Sequence, residues 1–330
     1  MSIFSPANIT VIGVVGRSST SRMLAAVATA VPDAVWPDTA IILSQGSSRG
    51  QNGTDSLAWG EALARVGNDG VVVVPATETR MRDAAMMTGA TVLSFGSDPR
   101  ADVKIVDVVA ASTGTTFELE LGSARYRVAL QMLGEHLAED AMAVLTAASA
   151  AGIDVDVAIS ALEELESVGP STMHPITRAD GVMLIDDTVS MHPSSVTSAL
   201  KTLAMIGTEG RRTVAVLGQL DLDNAAGMTV AEESEYRREA HDRIGRIVVR
   251  LNIKRLIVIG DEARHIHNAA GLEGSWNGES VLVGSVEEAY DLLRDSLATG
   301  DAVLVKYASR PDAASTLVSR LEQSAQVTTP

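Results

Sequence analysis

Short, wholly apolar runs recur along this chain, each followed by a longer amphipathic stretch. Val71–Val74, Leu256–Ile259 and Ala302–Val305 are the clearest. A strand with one wet face alternates apolar and polar residues, whereas an unbroken apolar run suits a strand covered on both faces, as in a parallel sheet flanked by helices. The rhythm therefore predicts an α/β fold. Strands are expected near Ile9–Val15, Ala40–Leu43, Val71–Val74 and Thr91–Phe95, then Val182–Ile185, Thr213–Leu217, Arg255–Ile259, Ser280–Val283 and Ala302–Val305. Helices are expected at Thr20–Thr29, Asp55–Val66 and Glu78–Thr88 in the first half. In the second they fall at Ser194–Met205, Ala231–Leu251, Glu262–Ala270, Val286–Leu297 and Pro311–Leu321.

One segment breaks the alternation. Thr115–Leu121 and Tyr126–Leu130 flank a Gly-Ser turn and read as a hairpin. Two helical stretches follow, and Gly169-Pro170 interrupts the pattern after them. Two domains are expected, 1–167 and 168–330, within the size range of ordinary domains. Aromatic residues are only 3%, so Ala, Val, Leu, Ile and Met must build the cores.

The charge balance narrows the partners. Net charge is −16 and only Lys104, Lys201, Lys254 and Lys306 are lysine. Such a surface repels nucleic acid and anionic membranes. No signal peptide is visible and no apolar stretch approaches the ~20 residues of a membrane helix. Cysteine is absent, which removes disulfides and thiolate metal sites and agrees with a cytoplasmic location.

Four places carry candidate chemistry. "VIGVVGRSSTSRML" has the order of a phosphate-binding turn: apolar strand, glycine, hydroxyl-rich loop, helix start. Gly16 supplies tight backbone, and Ser18, Ser19, Thr20 and Ser21 supply hydroxyls, but the lysine that usually ends such a loop is missing. The stretch is either a phosphate cradle or a plain strand–turn–helix capped by a hydroxyl. Asp186 and Asp187 follow a strand, at the carboxyl edge where open α/β sheets bind ligands. They either hold Mg²⁺ or form an acidic turn. Lys306 ends the last apolar strand, either facing an anion at that edge or solvated. His136 and Asp140 share a helical face at i, i+4, as ligand contacts or as a local pair. His265 and His267, at i, i+2, point apart and do not suit a metal.

Taken in order, "VIGVVGRSSTSRML", "PDTAIILSQG", "GEHLAEDAMAVLTAASAAG", "GVMLIDDTVSMHPSSVTSALKTLA", "RRTVAVLGQLDL" and "GDAVLVKYASR" resemble the Mur ligases. Within that family they are most like the branch that adds D-alanyl-D-alanine to the peptidoglycan precursor. The resemblance implies a central P-loop-like α/β ATPase-type domain at 1–167 and a Rossmann-like C-terminal domain at 168–330. It implies ATP and Mg²⁺ as cofactors and an acyl-phosphate route to an amide. It also implies a UDP-sugar domain ahead of the phosphate loop, where only ten residues precede Val11.

The departures are systematic. Aligned on Gly16, the family's second loop glycine falls at Ser19, its lysine at Thr20 and its Mg²⁺-binding hydroxyl at Ser21. A glutamate-bearing segment is missing after the loop helix, and the metal-binding histidine and modified lysine are absent from "SSRGQNGTDSLAWGEALARV". His136 is kept, but the asparagines that approach adenine become Leu137 and Asp140. Past Asp186 and Asp187 the family's Tyr-Asn-Ala-Asn becomes Val189-Ser190-Met191-His192, which leaves His192 as a vestigial nucleotide contact, while Pro193 and Lys306 match. The expectation is a divergent relative with a largely degenerate ligase site, acting as a binding or regulatory scaffold near cell-envelope precursor synthesis. The alternatives are an active ligase using Arg17 or Arg22 for the phosphates with Asp186 and Asp187 on Mg²⁺, or a structural partner of another Mur-type or cell-envelope protein.

Overall fold

The computed structural model describes residues 8–12, 17–42, 60, 63–222, 228–307 and 311–324. The chain divides into two compact units, Met1–Gly169 and Pro170–Pro330. Among the described residues no helix is long and apolar enough to cross a membrane.

The first unit is built on a sheet of seven strands in the order β1 to β7. These are β1 (Ile9–Ile12), β2 (Thr39–Ile42), β3 (Val71–Pro75), β4 (Thr91–Gly96), β5 (Val103–Ala111), β6 (Gly114–Leu121) and β7 (Ala124–Leu130). The first five run parallel. β3 is buried at every position, as its unbroken valines demand. The expected hairpin is the second half of a three-stranded antiparallel meander, because β5 also pairs with β6. A Gly122-Ser123 turn joins β6 to β7, with Gly122 at φ +59°.

Helices α1 (Arg17–Ala30), α2 (Thr79–Met86), α3 (Glu135–Ala150) and α4 (Val155–Glu163) accompany this sheet. Alanine-rich α3 is apolar almost all round and lies buried between the sheet and its neighbours α1 and α4. Met23, Leu24 and Val27 of α1 meet Leu137, Ala141 and Leu145 of α3 in one core. Thr115 ties the entry to α3: its hydroxyl donates to the Met132 carbonyl at 2.8 Å and accepts from the Gly134 N–H at 2.8 Å. Gly134 needs its freedom there, at φ +124°. Asp154 caps α4 by accepting from Asp156 N–H.

The second unit holds a six-stranded sheet of β8 (His174–Thr177), β9 (Met183–Asp186), β10 (Arg212–Leu217), β11 (Arg255–Ile259), β12 (Glu279–Val283) and β13 (Asp301–Lys306). Their order is β12-β11-β10-β13-β9-β8, and all pairs are parallel except β8 with β9. The connecting helices are α5 (Pro193–Gly207), α6 (Val230–Arg250), α7 (Arg264–Gly271), α8 (Val286–Arg294) and α9 (Pro311–Ser324). This is the expected Rossmann-like pattern. The steps β9 to β10, β10 to β11 and β11 to β12 move one way across the sheet, and β12 to β13 moves back. Right-handed crossovers therefore place α5, α6 and α7 on one face and α8 with α9 on the other. The contacts agree, since α6 packs on α5 and α7, and α9 packs on α8.

Three expectations need correcting. Strand β8 was not anticipated: it is four residues long and contains Pro175, which only an edge strand tolerates. The helix expected over Glu262–Ala270 is a 3₁₀ turn at Asp261–Ala263 followed by α7. The helix from Val286 stops at Arg294, not Leu297. A capping box of Thr229 and Glu232 starts α6.

Candidate functional site

The chemistry-bearing residues fall in two places, one in each unit. Gly16 lies outside the described residues, and only the backbone of Ser18 is described, as the first turn of α1. Ser19, Thr20 and Ser21 continue that turn. Ser19 and Thr20 are buried, Thr20 completely, and Ser21 is half-buried.

What faces Ser19 and Thr20 is Asp140 on α3. Ser19 Oγ donates to Asp140 Oδ2 at 2.5 Å across 121 residues of sequence. The N-terminal turn of a helix favours negative charge, because its N–H groups lack intrahelical acceptors and its dipole is positive there. Here the chain supplies that negative group itself. Burial pushes the Asp140 carboxyl up to about 7, against the Ser19 and Thr20 hydroxyls that favour its charged form. His136 sits half-buried one turn earlier on the same helix.

The second place is the carboxyl edge of the second sheet. Asp186 ends β9, and Lys306 ends β13 beside it; Val305 lies in register with Asp186. Lys306 is completely buried, and its Nζ lies 2.5 Å from Asp187 Oδ2. It also donates to the Asp187 carbonyl at 3.3 Å. The other carboxylate oxygen of Asp187 accepts from the Met173 N–H at 3.3 Å. Asp186, also buried, accepts from Thr188 Oγ1 at 3.0 Å. Both aspartates thus have protein partners, and the lysine at the sheet edge is neither solvated nor open to an anion. His192 caps α5: its Nδ1 accepts from the Ser194 N–H at 3.4 Å and lies 2.6 Å from Ser194 Oγ. Next to Lys306, the ring of Tyr307 closes over Gly218, where a Cβ would come within 2.2 Å of Tyr307 Cδ2.

A cleft of about 510 Å³ opens beyond the carboxyl ends of β10 and β11, a region of which only His265 was weighed from sequence, against a metal role. Gln219, Arg237, His241, Asp261, Arg264 and His265 line it. His241 is buried; its Nδ1–H donates to the Arg237 carbonyl at 2.7 Å and its Nε2 accepts from the Leu220 N–H at 3.2 Å. Burial lowers its pKa, so it stays a neutral support for the loop after β10. Arg264 pairs with Asp261 at 3.2 Å on the rim. Cations and carboxylates together suit a small zwitterion. The available signal was "GDEARH" directly after a strand, with Arg237 and His241 at i, i+4 on the preceding helix. His265 turns toward Asp242 at 3.9 Å and His267 toward Ser280 Oγ at 2.7 Å, so the two do point apart.

The sequence profile described as "Mur ligase, glutamate ligase domain" matches residues 173–310. The UDP-N-acetylmuramoyl-tripeptide--D-alanyl-D-alanine ligase of Mycobacterium tuberculosis is 31% identical over 291 residues, covering 82% of this chain and 55% of that protein. The ligase of that name from Escherichia coli is 25% identical over 183 residues, 56% of this chain and 37% of that one. The chain thus spans about half the length of the curated relatives it matches. Among solved structures, MurF of Acinetobacter baumannii superposes with a TM-score of 0.76 at 19% identity, over 96% of this chain and 77% of that one. MurF ligase of Thermotoga maritima in complex with ADP gives 0.76 at 17%, over 99% and 82%. At those identities the likeness is one of fold.

Proposed function

The chain belongs to the Mur ligase family, and from that premise we propose that it is a binding or regulatory scaffold whose ATP site has lost its phosphate chemistry. The observation that carries this reading is the Asp140 carboxylate bonded to Ser19 at the N-terminal turn of α1. Aligned with the family, this is where the nucleotide phosphates would lie. Thr20, at the position of the family's lysine, is completely buried. A Mg²⁺-nucleotide needs a cation there for its β- and γ-phosphates; Ser21 keeps the hydroxyl in kind, but Thr20 supplies no charge and Asp140 adds a carboxylate beside the phosphates, which does not fit them. Among the described residues, no three His, Asp or Glu side chains are grouped to hold a metal.

Phosphoryl transfer is catalysed almost entirely by positioning and by electrostatic stabilisation. Loss of one such group commonly costs about 10²-fold in rate, roughly 3 kcal/mol. Lys306 cannot compensate, because it is bound to Asp187 within its own unit. The cleft beside His241 and Arg264 supports the binding half of the proposal, with an amino acid or short peptide as the ligand class.

Isothermal titration with Mg-ATP tests this reading. No binding in the micromolar range is expected. Micromolar binding together with ADP release that depends on an acid and an amine would overturn it.

A further inference from the structure

Helices α6 and α8 carry matching surfaces of opposite charge. Residues 243–260 contain Arg243, Arg246, Arg250, Lys254 and Arg255 and no acid, in a chain of net charge −16. Arg243, Arg246 and Arg250 are exposed at i, i+3 and i+7 of α6, with half-buried Ile247 at i+4. Among the described residues, none of these three arginines has an ion pair, whereas Arg237 and Arg238 earlier in the helix are paired with Glu233 and Glu235.

On the other face of the sheet, Glu288, Asp291 and Asp295 are exposed at the same i, i+3 and i+7 spacing along α8 and its C-cap, with Leu292 at i+4. They rim a groove of about 430 Å³ floored by Val281 and Val283 of β12, the edge strand of the sheet. Arg294 pairs with Asp291 and Asp295 at the surface. Such exposed pairs are weak and exchange readily. The segment from Val286 to Asp295 still carries four acids against one arginine.

We infer that a second copy of this chain docks here: the arginine face of α6 in one copy seats on the acidic groove between α8 and β12 of the next. Three opposite charges align at equal spacing around an Ile247–Leu292 contact. One copy cannot close this contact on itself, because α6 and α8 lie on opposite faces of its sheet. The contact is therefore head-to-tail, and it builds rings or open chains instead of a two-fold dimer. The inference is independent of the state of the ATP site.

Sedimentation velocity of the full chain over a range of concentrations tests it. Species larger than a monomer are expected at ionic strength of about 0.01 M and are lost near 1 M, as screening shortens from roughly 30 Å to 3 Å. Arg243→Glu/Arg246→Glu/Arg250→Glu and Glu288→Lys/Asp291→Lys/Asp295→Lys should each be monomeric alone and should associate when mixed. Arg246→Gln, a milder change, should weaken association by several-fold without moving the unfolding midpoint. A wild-type chain that stays monomeric at low salt overturns the inference. So does association that survives either charge reversal.

Discussion

Lys306 and Asp187 are 119 residues apart in sequence and form a fully buried ion pair, Nζ to Oδ2 at 2.5 Å. The pair joins the end of β13 to the turn after β9, and through Asp187 Oδ1 it also holds the Met173 N–H. Met173 has a positive φ of 44°, as does Ser171 at 53°. These are costly conformations for residues with a side chain, kept only where the surroundings enforce them. The pair is thus a brace for the start of the second unit, at the position where family resemblance implied catalysis.

Removing one partner leaves a buried charge without its counterpart, which costs about 3–5 kcal/mol. Lys306→Met should lower the urea midpoint of the second unit by a corresponding amount. Lys306→Met/Asp187→Leu should recover only part of that loss: no orphan charge remains, but the Met173 N–H loses its acceptor. A single Lys306→Met variant as stable as wild type would refute the brace.

Asp140 sets a pH dependence in the first unit. Its folded pKa of about 7 lies above the ordinary value of 3.8, so the native state keeps a proton that the unfolded chain releases. Its contribution is fully present below about pH 4 and is lost as pH rises through about 7. Asp140→Asn should flatten that slope and stabilise the unit at pH 8 by a few kcal/mol, on the order of 1.4 per pH unit of the window. Unfolding midpoints measured from pH 5 to about 8 decide it. An unchanged slope in the variant would show that Asp140 is not the titrating group.

Much of the fold was legible in the sequence because its strands are unmixed. Val71–Val74 and Arg255–Ile259 are apolar at nearly every position, and no other element accommodates such runs so well. Strand β8 was hidden by Pro175, a residue that argues against a strand everywhere except at an edge. The site was legible only in part. The carboxyl-edge positions of Asp187 and Lys306 followed from strand ends, but their pairing depends on β13 inserting between β10 and β9. The Ser19–Asp140 bond depends on how α1 and α3 pack, which no local spacing encodes. His192 was read as a nucleotide contact and is found capping α5, a role that its place just before Pro193 announces.

Gly218 should tolerate no side chain. A Cβ there would collide with the Tyr307 ring, so Gly218→Ala is expected to cost about 1–3 kcal/mol. Adding Tyr307→Ala should remove the clash, so that the double variant loses less than the two single changes summed. Strict additivity by urea unfolding would count against the contact.

On the proposed reading, Asp140 occupies, by charge, the place of a nucleotide phosphate. The most direct measurement is titration calorimetry with Mg-ATP on the wild-type chain and on Asp140→Asn at pH 8, where the carboxylate is mostly ionised. No micromolar binding to the wild type, with heat of binding emerging only in Asp140→Asn, is the predicted result. Equal micromolar affinity in both proteins would contradict it.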